Sequence, residues 1–342
     1  MTTDSLYLDH AATSPLLPAA RAAMLDGMAI WANPSSPHKA GRAARAALED
    51  ARARTKTALG WDGEVIFTSG ASEALTLAIT RCVQPLAAVS AVEHEAVLRF
   101  AVPDARLPVD IHGLVDPARA ALSGLVAVQQ VNNETGVIQP LDLIGSAVRG
   151  AGGLLLADCA QGAGKLMLPD ADLIAISAHK FGGPVGIGAL LVREFGLLRP
   201  DGGQERGYRG GTENLPGALA MVAALEEGAG WLDEAARLRR RLEDGIRATG
   251  GTVVAQASER IAAIGAYRMP GVSSAAQLIR FDAQNIAVSA GSACSSGSLR
   301  TSHVLEAMGV SGAGEVIRVS IGRETTALEL DRFFAAWQKL AA

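Results

Sequence analysis

The sequence predicts an α/β protein with a mainly parallel sheet covered by helices on both faces. Three observations carry that expectation. Short apolar runs of strand length recur at 64–68, 125–131, 154–158, 173–177 and 187–192. Helical stretches accompany them at 38–59, 72–83 and 141–150. Buried strands that alternate with helices build a parallel sheet, because each crossover lays a helix on one face.

Each element has a local reason. The 38–59 stretch is rich in alanine and arginine and amphipathic at the helical period. A long helical stretch begins near Pro216 and runs to about Thr249. Beyond it come shorter strands at 261–267 and 286–289. Thr326 with Glu329 forms a capping box for a last helix that runs to about Leu340. The change of pattern sets a domain boundary inside or just after the long helix. A large domain over 14–245 and a smaller one over 246–342 are expected.

Composition narrows the function classes. The chain has 342 residues, too many for one small core. Hydrophobic residues make up 49% and charged residues 19%, so a disordered chain is excluded. The net charge is −4, so no overall positive field draws in nucleic acid. The basic run Arg237, Arg239, Arg240 and Arg241 is expected to be a solvated helix face. No run is long and apolar enough for a membrane span, and the first residues lack a secretory pattern. The cysteines Cys82, Cys159 and Cys294 form no C-x-x-C pair. Their odd number and wide spacing argue against a disulfide framework or a metal site, and a reducing cytoplasm is expected.

The chemistry concentrates after the strands. Asp158 ends one predicted strand and Ser177 the next, with His179 and Lys180 just beyond. In an open α/β sheet, ligands sit at the carboxyl ends of strands, so both groups face one crevice. A desolvated lysine there can form a Schiff base. A carboxylate there can keep a pyridine nitrogen protonated. A surface lysine and a helix-capping aspartate explain the same two residues. The turn Phe67-Thr68-Ser69-Gly70-Ala71-Ser72-Glu73 follows a strand and opens a helix. Its small residues suit a phosphate at a helix N-terminus, to which Ser177 and His179 can add donors; a routine cap by Ser72 fits as well. His94 follows a further strand and offers a flat imidazole, and Asn133 ends another.

Two later features complete the set. Residues 289–298 are a run of small residues around one thiol, Cys294, and read as a loop presenting a nucleophile. Cys82 and Cys159 lie in apolar or helical surroundings and read as packing residues. Arg318 sits inside the apolar strand Val316-Ile317-Arg318-Val319-Ser320. It therefore needs a partner, either a substrate carboxylate or an internal acid.

Together these residues resemble the cysteine desulfurases, within the class V aminotransferase group of fold-type I pyridoxal-phosphate enzymes. The resemblance runs nearly end to end. It covers Tyr7-Leu8-Asp9-His10-Ala11-Ala12-Thr13, Asn33-Pro34-Ser35-Ser36, the 68–73 turn, Glu93-His94 and the 131–136 segment. It continues through Asp158 to Gln161, His179-Lys180, Arg209-Gly210-Gly211-Thr212, the Cys294 loop and the 318–323 segment. The resemblance implies pyridoxal 5'-phosphate as cofactor, with Lys180 as the Schiff-base lysine and Asp158 at the pyridine nitrogen. Gln161 would contact the ring hydroxyl, with Asn133 nearby, and His94 would stack on the ring. Ala71, Ser72, Ser177 and His179 would bind the phosphate. Thr212 would reach the phosphate of a neighbouring subunit, which implies a homodimer. Arg318 and Asn33 would hold the carboxylate of L-cysteine, and Cys294 would take its sulfur as a persulfide, leaving alanine. The resemblance also places residues 1–13 with the small domain. It further implies a sulfur-acceptor protein, such as an iron–sulfur scaffold. The sequence departs from the usual pattern at Ala178, where glycine is common, and at Ser72, where threonine is common. A selenocysteine lyase, a class V aminotransferase and a non-catalytic sulfur-relay protein are the alternative readings.

Overall fold

The structure is a computed structural model that describes residues 5–291 and 301–341. In chain order the elements are β1 (Leu6–Tyr7), α1 (Pro18–Ala29), α2 (Lys39–Leu59), β2 (Glu64–Thr68), α3 (Ala71–Arg81), β3 (Leu86–Ser90), α4 (Glu95–Leu98) and β4 (Arg106–Leu107). Next come β5 (Leu125–Gln129), α5 (Leu141–Gly150), β6 (Leu154–Asp158), β7 (Leu173–Ser177), β8 (Gly188–Val192), α6 (Leu215–Glu226) and α7 (Leu232–Ala248). The chain ends with β9 (Thr252–Val253), β10 (Ile264–Arg268), α8 (Ser274–Asp282), β11 (Ile286–Ala287), α9 (His303–Ala307), β12 (Val316–Ser320) and α10 (Ala327–Ala341).

Seven strands form the main sheet in the order β2-β8-β7-β6-β5-β3-β4. The pairs β3–β4, β3–β5, β5–β6 and β6–β7 are parallel. β8 runs antiparallel to both β7 and β2, so β2 points the same way as β7. The carboxyl ends of β2, β3, β5, β6 and β7 therefore lie on one edge. This is the mainly parallel sheet the sequence predicts, with β8 as its reversed strand. Strands β5, β7 and β8 are buried at every position, which accounts for their unbroken apolar runs.

Helix α2 starts where His38 accepts a hydrogen bond from the Gly41 N–H, and ends at Gly60, left-handed at φ 62°. Its buried face carries Ala44, Leu48, Ala51 and Thr55. Arg52 is buried on the same helix and pairs with buried Glu205 through Nη1 at 2.8 Å, so neither charge is left without a partner.

The long helix expected from Pro216 to Thr249 is two helices. Gly228 adopts φ 67° and ends α6, and its carbonyl accepts from Arg323 Nη2 at 2.6 Å. The two halves join different cores. α6 supplies Ala218, Met221 and Leu225 to the core under the seven-stranded sheet. α7 supplies Ala235, Leu238, Leu242 and Ile246 to a second core built on Phe281, Phe333 and Trp337. That packing supports a proposed boundary in the turn ahead of α7. Leu6 and Leu8 lie in the second core, and β1 pairs in parallel with β11.

One expectation on α7 is corrected. Arg239 is not on the solvated face: its Nη1 donates to the carbonyls of Arg260 and Ile261, which close the turn before β10. Arg237 and Arg241 do face solvent, paired with Glu234 and Asp331. The strand expected at 125–131 stops at Gln129, because the backbone turns there toward Asn133. The capping box is present: Thr326 N donates to Glu329 Oε2 at 2.8 Å, and Glu329 N to Thr326 Oγ1 at 3.3 Å. Among the described residues, no helix is long and apolar enough to cross a membrane.

Candidate active site

A cavity of about 350 Å³ opens at the carboxyl edge of the sheet. Much of its wall comes from the ends of five of the six co-directional strands, β2, β3, β5, β6 and β7, and the turns that follow them, as the direction of β2 requires. β6 delivers Asp158, and β7 delivers Ser177 and, one turn on, His179 and Lys180. The turn after β3 delivers His94, and the segments after β5 deliver Gln129 and Asn133.

Lys180 reaches back to the N-terminal segment. Its Nζ donates to Ala11 O at 2.7 Å and to Ala12 O at 2.8 Å. Gln161 Nε2 donates to the same Ala11 oxygen at 2.8 Å. Residues 7–13 thus bring a pair of carbonyls from the second core to the lysine. Asp158 is buried, with Oδ1 accepting the Ala160 N–H at 2.9 Å. Burial raises its pKa, against the pull of the nearby His94 and Lys180 charges. His94 caps α4, with Nδ1 accepting from Ala96 N at 3.1 Å. A nitrogen that accepts an N–H carries no proton, so the neutral ring holds its proton on Nε2. Burial lowers the His94 pKa and favours that neutral form.

The start of α3 forms the far end of the cavity with Gly70, Ala71 and Ser72. A Cβ on Gly188 would lie 2.7 Å from Gly70 Cα, so only glycine lets these two backbones approach. Glu73 accepts from Ser69 N and pairs with Arg209 at 2.9 Å, which cancels its charge and ties the turn to the 209–212 loop.

Arg318 lines the cavity from β12 while 3% exposed. It has the internal partner that was one of its two readings: Nη2 meets Asp9 Oδ1 at 2.8 Å, and Nη1 donates to Asn133 O at 2.9 Å. Its Nε is buried without a hydrogen-bond partner among the described residues. Asp9 was not singled out from the sequence as a site residue. Its signal was the need of a buried strand arginine for an acid.

Two candidates lie elsewhere. Asn33 is exposed, and its Oδ1 accepts from Ser35 N at 2.8 Å. Thr212 is exposed on the loop before α6. Neither lines the cavity in this single chain. Cys294 lies outside the described residues. Cys82 and Cys159 are buried, and burial pushes both thiols up, so they are packing residues as expected.

His10 gives this region a pH signature. It packs edge-on against Tyr7 with ring centroids 4.9 Å apart, and burial pushes its pKa from 6.5 down to about 4. The unfolded chain takes up that proton first, so the His10 contribution is full above pH 6.5 and drains away toward pH 4. Urea titrations are expected to show a loss of up to about 3 kcal/mol from this group across the window. His10→Gln should flatten that part of the slope; an unchanged slope would refute the assignment.

One orphaned atom of the cavity bears on its fit to pyridoxal phosphate. Gln161 Oε1 is buried in the cavity wall that Asp158 and Lys180 share, and has no hydrogen-bond partner among the described residues. A ring hydroxyl there would satisfy it. With a buried acid, an amine and a helix N-terminus in the same cavity, the residues present fit the group.

Fold and cavity define an α/β protein whose mainly parallel sheet opens at its carboxyl edge into a polar cavity that brings a lysine and an aspartate together. The chain belongs to the aminotransferase class-V family, whose model matches residues 6–333. It is 38% identical to a cysteine desulfurase of Cereibacter sphaeroides, over 96% of this chain and 94% of that protein. It is 37% identical to a cysteine desulfurase of Rhodobacter capsulatus, over 100% and 98%. Among solved structures, a NifS-like protein from Rickettsia africae superposes with a TM-score of 0.89 at 28% identity, covering 98% of this chain and 99% of that one.

Proposed function

We propose that this chain is a cysteine desulfurase that uses pyridoxal phosphate, takes sulfur from L-cysteine and releases L-alanine. The observation that carries the proposal is the meeting of Lys180, buried Asp158 and His94 in one cavity that ends on the first turn of α3. The names of the relatives supply the substrate.

Bound pyridoxal phosphate supplies an electron sink for the pair left when a Cα proton is removed. The chain's own groups do the rest. The Lys180 amine removes the proton at Cα. Asp158 would hold a proton at the nitrogen of the cofactor ring, and Gln161 and Asn133 would serve its hydroxyl. His94 would lie against the ring and move a proton at the substrate sulfur. Ala71, Ser72, Ser177 and His179 would hold the phosphate. Arg318 orients the substrate carboxylate with the donors that Asp9 and Asn133 leave to it, and Asn33, outside the cavity of the single chain, would assist only if brought to it. Thr212 serves the phosphate of the second subunit of a homodimer.

The Cys294 thiolate attacks the substrate sulfur. The sulfur–sulfur bond forms as the sulfur–Cβ bond breaks, and the electron pair of that bond stays with carbon. Cβ takes up a proton on the way to alanine, and the persulfide left on Cys294 passes its outer sulfur to an acceptor protein such as an iron–sulfur scaffold. Support comes from where the flanking residues sit. Ser289 pairs with Arg318, its N–H donating to Arg318 O at 3.1 Å. Gly291 packs on Glu134, next to Asn133.

Alanine measured against L-cysteine consumed tests the proposal. Cofactor-loaded protein should form one alanine per sulfur released. Loaded protein that consumes no cysteine would sink it.

A further inference from the structure

β2 lies at one edge of the seven-stranded sheet, with β8 on its inner side. Two side chains occupy its outer side. Arg52 Nη1, from α2, donates to Val65 O at 2.5 Å, and Glu205 Oε2 accepts from Phe67 N at 2.9 Å. The two side chains also bond each other twice, Nη1 to Oε2 at 2.8 Å and Nη2 to Oε1 at 3.2 Å. A strand laid along that edge would offer one donor and one acceptor at the same two places.

The same contacts lead into the turn at 68–73. Glu205 belongs to the loop before α6, where Glu205 and Arg206 are both left-handed, at φ 47° and 58°. Residues with a Cβ keep that conformation only where their surroundings hold it. Further along the loop, Arg209 Nε meets Glu73 Oε1 at 2.9 Å, and Glu73 Oε2 accepts from Ser69 N. The loop thus grips β2 at the Phe67 amide and the turn at the Ser69 amide, each through a carboxylate.

We propose that Arg52 and Glu205 are positioning residues for the phosphate turn: their ion pair takes the place of a neighbouring strand on the edge of β2 and holds the turn after it in the form that receives the cofactor's phosphate. The inference rests on the cofactor reading, which gives the turn its ligand. Position and fold can be separated here. Replacing a buried ion pair by apolar residues of similar volume is often neutral for stability. Such residues cannot bond Val65 O or Phe67 N, so they remove the edge contacts and leave no buried charge behind.

The test compares two ligands on the whole chain: pyridoxal phosphate, and pyridoxal, which lacks the phosphate. Binding of each is titrated by the visible absorbance it acquires on the protein. In folded Arg52→Met/Glu205→Leu the dissociation constant for pyridoxal phosphate should rise about tenfold, the worth of roughly one charge-assisted hydrogen bond, while that for pyridoxal stays within about twofold. In the cofactor-free variant the Ser69 amide, which neither substitution touches, should exchange its hydrogen about tenfold faster. Equal losses for both ligands would mean a damaged cavity and overturn the proposal, as would two unmoved constants or an unmoved exchange rate. If the double variant does not fold, Glu205→Asp decides, since it keeps the charge but falls short of Phe67 N. The same selective loss is expected there, and its absence overturns the proposal equally. An unaltered chain that takes up no pyridoxal phosphate would defeat the cofactor reading, while the Ser69 exchange rate still decides whether the pair holds the turn.

Discussion

Lys180→Ala is expected to abolish both the visible absorbance acquired with pyridoxal phosphate and the formation of alanine from L-cysteine. The lysine is the amine at the meeting point of β7, the N-terminal segment and the main cavity. Losing a positioned proton-transfer group alone costs about 10²–10⁴-fold in rate, and losing the covalent attachment removes the remainder. A stability effect accompanies this. Ala12 O loses its ammonium donor while Ala11 O keeps Gln161 Nε2, at about 1–3 kcal/mol for a group left unsatisfied. The activity loss must therefore be read on protein shown to be folded by circular dichroism. Retained absorbance in a folded Lys180→Ala protein would mean that another amine holds the cofactor.

Cys294→Ser is expected to behave in the opposite way toward the cofactor. Absorbance should be kept, because Asp158, His94, Gln161 and Lys180 are untouched. Sulfur release and alanine formation should fall by about three orders of magnitude or more, since a serine hydroxyl is not a nucleophile for sulfur at neutral pH. The other thiols cannot stand in. Cys159 is fully buried and Cys82 is 3% exposed, and burial disfavours the thiolate of both. A persulfide detected by mass spectrometry on residue 294 of the unaltered chain, and absent from the variant, completes the test. A fully active serine variant would remove Cys294 from the reaction.

The two variants read different parts of the molecule. Lys180 reports on the cavity, and Cys294 on whether sulfur leaves the substrate through a thiol of this chain. Absorbance with alanine in the unaltered chain, absorbance without alanine in Cys294→Ser, and neither in Lys180→Ala together make a pattern that a transaminase reading does not produce.

Much of this architecture was legible from residue order because it is set locally. The apolar runs that became β6, β7 and β8 have to be buried on both faces, and Asp158 and Ser177 close two of them at the edge where ligands bind. The His38 cap, the left-handed Gly60 and the Thr326–Glu329 box mark helix ends by their own side-chain and backbone chemistry. Where local signals agree with burial, sequence position predicts place.

Other features were decided by tertiary contact. The helical pattern from Pro216 to Thr249 carries no proline within its span to interrupt it. Its break at Gly228 follows from the two halves packing into different cores. Arg239 turned inward because the carbonyls of residues 260 and 261, about twenty residues on, needed a donor. Asp9 and Arg318 meet across 309 positions of chain, and Lys180 finds its carbonyls at residues 11 and 12. Sequence by itself determined which groups could do the chemistry, because side-chain type fixes charge, nucleophilicity and hydrogen-bonding capacity. Only the folded chain decided which of them share a low-dielectric cavity and which, like Asn33 and Thr212, stand outside it in a single chain. Proximity between distant residues is a property of packed cores and not of residue order.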